Sequence, residues 1–227
     1  MKLMVLGNGK TGALVTEIAR ERGHQVSILT SAGNAHASGL NEDALHGVDG
    51  VIDFTRPDAV LENIAACARA GVNMVVGTTG WYGQLGEVRK IVEQHGIGFV
   101  YASNFSAGMN LFFKLAAAAA PAVSCGYTAS ITEKHHSGKK DAPSGTAVRL
   151  QQILGEHGGG QPEITSLREG DFAGIHTIRL ESSEDTITLV HDARTRRGFA
   201  AGALRAAEWL QGKRGFYDFS DVLGIAE

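Results

Sequence analysis

Lys2–Leu6 (KLMVL) runs directly into Gly7-Asn8-Gly9-Lys10-Thr11-Gly12, and Thr11–Arg22 follows with Leu14, Val15 and Ile18 on one helical face. A short apolar strand, a GxGxxG turn and an amphipathic helix in that order form the first half of a βαβ unit built to hold a dinucleotide. Each glycine has its own task. The first makes the tight turn, the second lets a pyrophosphate come close to the backbone, and the third allows helix and strand to pack, while the helix N-terminus faces the anion. The alternative is an ordinary glycine-rich turn. A P-loop is excluded, because the position five residues before Gly9 is Met4, inside the strand.

Working outward, apolar runs recur at Gln25–Leu29, Val51–Thr55, Asn73–Val76 and Ile97–Tyr101, separated by helical candidates near Asp58–Ala70 and Gln84–Gln94. This alternation predicts a doubly wound, Rossmann-like parallel sheet over 1–106. Only about twenty residues separate the second and third strands, and much of that interval reads as loop. From Ala107 the pattern changes. A helix over Leu111–Ala120 precedes runs at Tyr127–Glu133, His176–Leu180 and Thr186–His191, which predict an α+β domain over 107–199 with a mixed or antiparallel sheet. Gly158-Gly159-Gly160 reads as loop, and a last helix, Ala200–Gln211, returns the chain over 200–227 to the first domain.

Composition bounds the function. The 227 residues carry 21 Lys+Arg against 24 Asp+Glu, a net charge of −3, which argues against nucleic acid as the main partner. No apolar run is read as long enough to span a membrane, and no signal peptide opens the chain. With only Cys67 and Cys125, the expectation is a reduced, cytoplasmic protein.

Further turns sit where ligands bind in open α/β sheets, at the carboxyl ends of strands: Asp53-Phe54-Thr55-Arg56-Pro57 and Gly77-Thr78-Thr79-Gly80. The second strand ends at Thr30-Ser31, with neither the carboxylate that grips a ribose nor an arginine for a 2′-phosphate. Those hydroxyls and Lys10 leave NADH and NADPH both open. In the second domain, Glu133-Lys134-His135-His136-Ser137-Gly138-Lys139-Lys140-Asp141-Ala142-Pro143-Ser144-Gly145-Thr146-Ala147 concentrates cations just before a helix N-terminus, a pocket suited to a dicarboxylate. Asp141 or Ser144 can equally be a plain N-cap. No metal is expected, because adjacent histidines on extended chain point to opposite faces. His176 and His191 read as structural, and Arg194, Arg196 and Arg197 as a solvated surface turn.

The block EKHHSGKKDAPSGTA closely resembles the signature of the 4-hydroxy-tetrahydrodipicolinate (dihydrodipicolinate) reductase family of the diaminopimelate/lysine pathway. Similar family segments occur at Val51–Pro57, Val76–Gly80, Ser103–Asn110, Arg168–Gly170, Phe199–Ala203 and Asp221–Gly224. The resemblance implies an oxidoreductase that transfers a hydride from NADH or NADPH to an unsaturated cyclic dicarboxylate. It implies His135 as acid/base and Lys139 as proton donor, with His136, Gly145 and Thr146 holding a substrate carboxylate. On the cofactor it implies Gly7, Asn8, Gly9, Lys10, Thr11 and Gly12 at the phosphates. It also places Gly77, Thr78 and Thr79 in the nicotinamide-side turn and Tyr101, Ala102, Ser103, Asn104 and Phe105 on the loop into a hinge; Thr30 and Ser31, whose hydroxyls can bond ribose or phosphate, and Phe54 and Thr55, in the turn after the third strand, join the cofactor-binding candidates. Hinges are expected near Ala107–Gly108 and Phe199–Gly202, with a homotetramer built through the second-domain sheet. Where family members often carry GxxGRMG, this loop is one residue shorter and has Lys10 in place of Arg. The alternatives are a reductase of a different dicarboxylate and an NAD(P)H-binding sensor without turnover.

Overall fold

The structure, a computed structural model, describes residues 1–156, 158 and 160–225. Gly159 of the predicted glycine loop lies outside them. In chain order the elements are β1 (Lys2–Leu6), α1 (Lys10–Glu21), β2 (Gln25–Leu29), α2 (Glu42–Leu45), β3 (Gly50–Asp53), α3 (Pro57–Arg69), β4 (Met74–Val76), α4 (Leu85–His95) and β5 (Gly98–Tyr101). They continue with α5 (Ala107–Ala119), β6 (Thr128–His135), α6 (Gly145–Gly155), β7 (Glu163–Arg168), β8 (Gly174–Glu181), β9 (Thr186–Ala193), α7 (Arg197–Trp209), β10 (Gly215–Asp218) and α8 (Phe219–Leu223). The chain divides into two compact units, Met1–Ala107 with the stretch from Arg197 onward, and Gly108–Arg196.

The first unit is a parallel sheet ordered β10-β5-β4-β3-β1-β2. Parallel strands covered on both faces cannot alternate polar with apolar, and accordingly every residue of β3 and β4 is buried. Successive side chains feed opposite faces. Leu3, Val5, Ile52, Val75 and Val100 pack with α1 and α7, whereas Met4, Leu6, Val51, Met74, Val76 and Phe99 pack with α3 and α4. The sequence reading missed β10, whose short and half-buried run gives little periodicity. It also placed a hinge at Phe199–Gly202, which the structure corrects: these residues lie inside α7. Gly202 is there for contact, since a Cβ on it would stand 1.8 Å from the Phe105 carbonyl oxygen.

The second unit is a four-stranded mixed sheet, β7-β6-β8-β9, in which only β6 and β7 run parallel. β7 was not foreseen, because its alternation ends in charged Arg168 and its apolar residues are few. One sheet face, with Ile131, Ile178 and Leu180, buries Met109, Phe112 and Phe113 of α5 and Leu150 and Leu154 of α6. Ala107–Cys125 forms one helical stretch of 19 residues with mean hydropathy 1.2, so the expectation that no run reaches spanning length is corrected. The reason it was overlooked is Pro121, which reads as a stop but here sits in a closing 3-10 turn. The apolar side of this helix belongs to the second core.

Candidate active site

In the first unit β1 delivers Gly7 with φ +91°, a conformation open to glycine. A Cβ at Gly7 would stand 2.5 Å from the Phe54 carbonyl oxygen, and one at Gly12 2.3 Å from the Gly7 carbonyl oxygen. A Cβ at Gly9 would meet nothing within 4 Å. Gly7 and Gly12 are thus required by the chain's own packing, whereas Gly9 keeps space open. That space is a cavity of about 320 Å³ lined by Gly9, Lys10, Thr11, Gly12, Phe54, Thr55, Pro57, Gly77, Thr78 and Thr79. Gly9 is the extended N-cap of α1, so the first backbone N–H groups of the helix have no intrahelical acceptors. Free N–H groups, a glycine cradle and the Lys10 ammonium fit a dinucleotide pyrophosphate. Thr30 and Ser31 follow β2 and are exposed, and with Tyr101–Phe105, at and beyond the end of β5, they lie outside the cavity lining. Pro57, the last residue of the turn singled out in the sequence but not among the expected cofactor contacts, lines it as well.

Beneath the cavity Asp53 is wholly buried. Its Oδ1 accepts from the Thr55 amide (2.7 Å), the Thr55 hydroxyl (2.6 Å) and the Thr78 hydroxyl (3.0 Å). Its Oδ2 accepts from Asn63 (2.9 Å), whose oxygen accepts from Asn34 (2.8 Å), whose oxygen in turn accepts from the Gly39 amide (3.2 Å). The backbone donor at Gly39 fixes the direction of this relay, so the far end must be an acceptor. Burial pushes the Asp53 carboxyl up, against these hydrogen bonds. One side chain therefore sets both turns, Thr55 and Thr78, that line the cavity.

In the second unit β6 places Ile131, Glu133 and His135 on the covered sheet face, and all three are buried. Glu133 Oε2 touches His135 Nδ1. Glu133 Oε1 accepts from Arg168 Nη2 (2.6 Å) and from the Ser144 amide (3.3 Å). Arg168 Nη2 also reaches the Asp141 carbonyl oxygen at 2.6 Å. Ser144 is the N-cap of α6, its hydroxyl accepting from the Ala147 amide (3.2 Å) and lying 3.3 Å from His176 Nε2. Of the two caps the sequence allowed, the structure selects Ser144, and Gly145 and Thr146 open the helix with no Cβ neighbour at Gly145. Lys139 is ion-paired with Asp141 at 2.7 Å, and its amide closes a turn on the His136 carbonyl (3.1 Å).

Two expectations are corrected here. His176, read as a satisfied structural histidine, has no hydrogen-bond partner for Nδ1 among the described residues, and antiparallel register sets it opposite Glu133 with its ring 5.1 Å from that of His135. Burial, reinforced by His135, lowers His176 to about 4. Nor is Arg196 merely solvated, since it donates to His136 Nε2 (2.9 Å), whereas Arg197 is on the exposed surface as expected and there bridges Glu17 (2.5 Å) and Glu21 (2.6 Å) of α1. Glu133, His135 and His176 bring ligand atoms within 4.8 Å of one another. The Arg168 guanidinium holds the same carboxylate through its other oxygen, at 2.6 Å. His135 itself is lowered by burial, opposed by Glu133 and assisted by Lys139 and Arg168. Glu133, Arg168 and His176 were not assigned to the site from sequence because strand register brings them together; the signals for them were a glutamate on the apolar face of a strand and the family segment at Arg168–Gly170.

Residues 1–105 match the family model for the N-terminus of dihydrodipicolinate reductase and residues 108–223 the model for its C-terminus. The 4-hydroxy-tetrahydrodipicolinate reductase of Christiangramia forsetii is 37% identical, over 98% of this chain and 98% of its own. That of Chromobacterium violaceum is 41% identical over 80% of this chain and 76% of its own. Among solved structures, dipicolinate-bound dihydrodipicolinate reductase from Paenisporosarcina sp. TG-14 superposes with a TM-score of 0.77 at 24% identity, covering 96% of this chain and 97% of that one. An amine dehydrogenase from Mycobacterium smegmatis shares the fold at a TM-score of 0.62 and 11% identity, over 96% and 94% of the two chains. With both halves matched and a glycine cradle and a His/Lys cluster standing where the motifs place them, this chain belongs to the dihydrodipicolinate reductase family.

Proposed function

We propose that this chain reduces 4-hydroxy-tetrahydrodipicolinate to tetrahydrodipicolinate with NADH or NADPH, in diaminopimelate and lysine biosynthesis. Water leaves the substrate, and one hydride and one proton arrive. The reduced nicotinamide, when bound, supplies the hydride. The observation that carries this reading is the second-unit cluster, in which a buried His135, a Lys139 and the open N-terminus of α6 occur in one segment. A sensor has no use for a proton donor there.

His135 acts as acid/base and Lys139 as proton donor. Asp141 holds the Lys139 ammonium until an anionic substrate competes for it. Gly145 and Thr146 present helix N-terminal amides to a carboxylate, and His136 does the same with the Arg196 cation behind it. In the first unit, Gly9–Gly12 take the phosphates, with Gly7 and Asn8 shaping the turn, and Phe54, Thr55 and Gly77–Thr79 flank the nicotinamide. Thr30 and Ser31 face the adenosine end, and Tyr101–Phe105 lead into the hinge. The hinge is assigned to the two crossings between units, at Ala107–Gly108 and Arg196–Arg197. A cytoplasmic homotetramer joined through the outer face of the second sheet is supported by the exposure of Leu167 and Val190 on that face.

The test is oxidation of NADPH and NADH with the labile substrate made in situ from pyruvate and aspartate semialdehyde by its synthase. Turnover is expected, with His135→Gln and Lys139→Ala each losing about a hundredfold or more in kcat. Binding of either nucleotide without turnover would redirect the reading to another dicarboxylate or to a sensor.

A further inference from the structure

Glu133 is the buried group for which the reduction as described so far has no use. It is wholly buried, yet no apolar neighbour needs it and a hydrophobic residue would fill the site at less cost. Its polar contacts explain its presence. Oε2 meets His135 Nδ1, while Oε1 accepts from Arg168 Nη2 (2.6 Å) and from the Ser144 amide (3.3 Å) at the α6 N-cap. Arg168, through its second bond to the Asp141 carbonyl at 2.6 Å, also fastens the loop that carries Lys139.

We propose that Glu133 is the positioning residue of the acid–base site, fixing His135 with its proton on Nδ1 and its lone pair on Nε2 and registering that ring against the α6 N-terminus. The proposal rests on the reductase reading in which His135 moves the proton. Both donors at Oε1 are obligate, a backbone amide and a guanidinium, so Oε1 can only accept. Oε2 is left for the ring. Neither Oε2 nor Nδ1 has a hydrogen-bond partner elsewhere among the described residues, and because a carboxylate can only accept, the assignment that satisfies both buried atoms puts the proton on Nδ1. The working nitrogen is then Nε2, which faces Gly174: a Cβ on that glycine would stand 2.9 Å from Nε2 and close the space. When His135 gains a second proton the carboxylate stays ionised and balances the imidazolium. Its ionisation is secured by Arg168 and Ser166, whose hydrogen bonds overcome burial and hold the Glu133 carboxyl below the ordinary range.

The charged and titratable groups facing His135 are Glu133 on its own strand, Lys139 on the following loop, Arg168 on β7 and His176 on β8. Among them only Glu133 favours the imidazolium.

Glu133→Gln separates shape from chemistry. The amide oxygen is drawn to the Oε1 position by its two donors, so the NH₂ group faces Nδ1 and reverses the tautomer. The expected result is a fall in kcat of about a hundredfold or more, with the Kd for NADPH changed by less than about twofold. In ¹⁵N ring spectra, His135 should pass from the Nδ1–H to the Nε2–H form and titrate at lower pH. Arg168→Gln removes a repelling cation while the Ser144 amide, Ser166 and the introduced amide still bond the Glu133 carboxylate, so His135 should keep its Nδ1–H form and titrate at higher pH, opposite in sign to E133Q. If E133Q does not fold, the spectrum of the unsubstituted protein and that of R168Q decide: Nδ1–H in both, with the upward shift, upholds the proposal. An E133Q protein with unchanged kcat and tautomer overturns it and leaves the reductase reading standing. Absence of turnover in the unsubstituted protein would end the reductase reading, and with it the role assigned to Glu133, whichever tautomer the spectra show.

Discussion

Gly9, the extended N-cap of α1, and Gly12, inside the helix, differ in what surrounds them, and that difference fixes the sign of two substitutions. Gly9 has φ −74° and ψ −178°, which alanine adopts without strain, and an added Cβ meets nothing within 4 Å. Losing a glycine from the unfolded chain favours the fold by about 0.4–1 kcal/mol, and alanine is the poorer N-cap by a similar amount, so Gly9→Ala should leave stability within about 0.5 kcal/mol. Its methyl group projects into the space assigned to the pyrophosphate, and the Kd for NADPH should rise about tenfold or more, roughly 1.4 kcal/mol. Gly12→Ala reverses this ranking. Its Cβ overlaps the Gly7 carbonyl oxygen at 2.3 Å, a backbone atom held by the positive φ of Gly7. Overpacking of this kind costs about 1–3 kcal/mol, against about 1 kcal/mol of helix propensity gained, so net destabilisation and a lowered thermal midpoint are expected. Fluorescence titration of NADPH and thermal unfolding read the two quantities separately. Gly9→Ala with a Kd within about twofold of the unsubstituted protein would refute the placement of the phosphates at this turn.

Asp53→Asn should cost about 1–3 kcal/mol, because its amide would set a donor against Asn63 Nδ2, and urea melts showing no loss would break the relay argument. The same variant should weaken NADPH binding through Thr55 and Thr78, as titration will show. His176 has its folded pKa lowered to about 4, so the fold is favoured while the ring is neutral and loses up to about 3 kcal/mol as pH falls from its ordinary value toward that pKa. In His176→Gln this part of the acid dependence should flatten, and an unchanged slope would place the titration elsewhere. Arg196→Ala, which strips the cation from His136, should raise the substrate KM about tenfold with little change in kcat, and an unaltered KM would remove Arg196 from the carboxylate site.

The parallel sheet was legible because its strands are continuous apolar runs and its first turn needs glycines at fixed places. Gly7 and Gly12 announce themselves locally, by φ and by close approach. His135 and Lys139 came from a motif, since periodicity says nothing of their roles. What stayed hidden depends on pairing between distant strands: His176 enters through register with Glu133, and Arg168 through register with His135. Arg196 faces His136 from sixty residues away, which no local pattern reports. β10 escaped because an edge strand of four half-buried residues carries little hydrophobic contrast.

The central claim is that this chain moves a hydride from a nicotinamide and a proton from its own acid–base pair onto a cyclic dicarboxylate. Mass spectrometry of the product formed with NADPH dideuterated at C4, in ordinary water, tests it most directly. One deuterium in each product molecule, retained at a rate that collapses in His135→Gln, is the predicted result. Product without deuterium, or none from protein that binds both ligands, would contradict it.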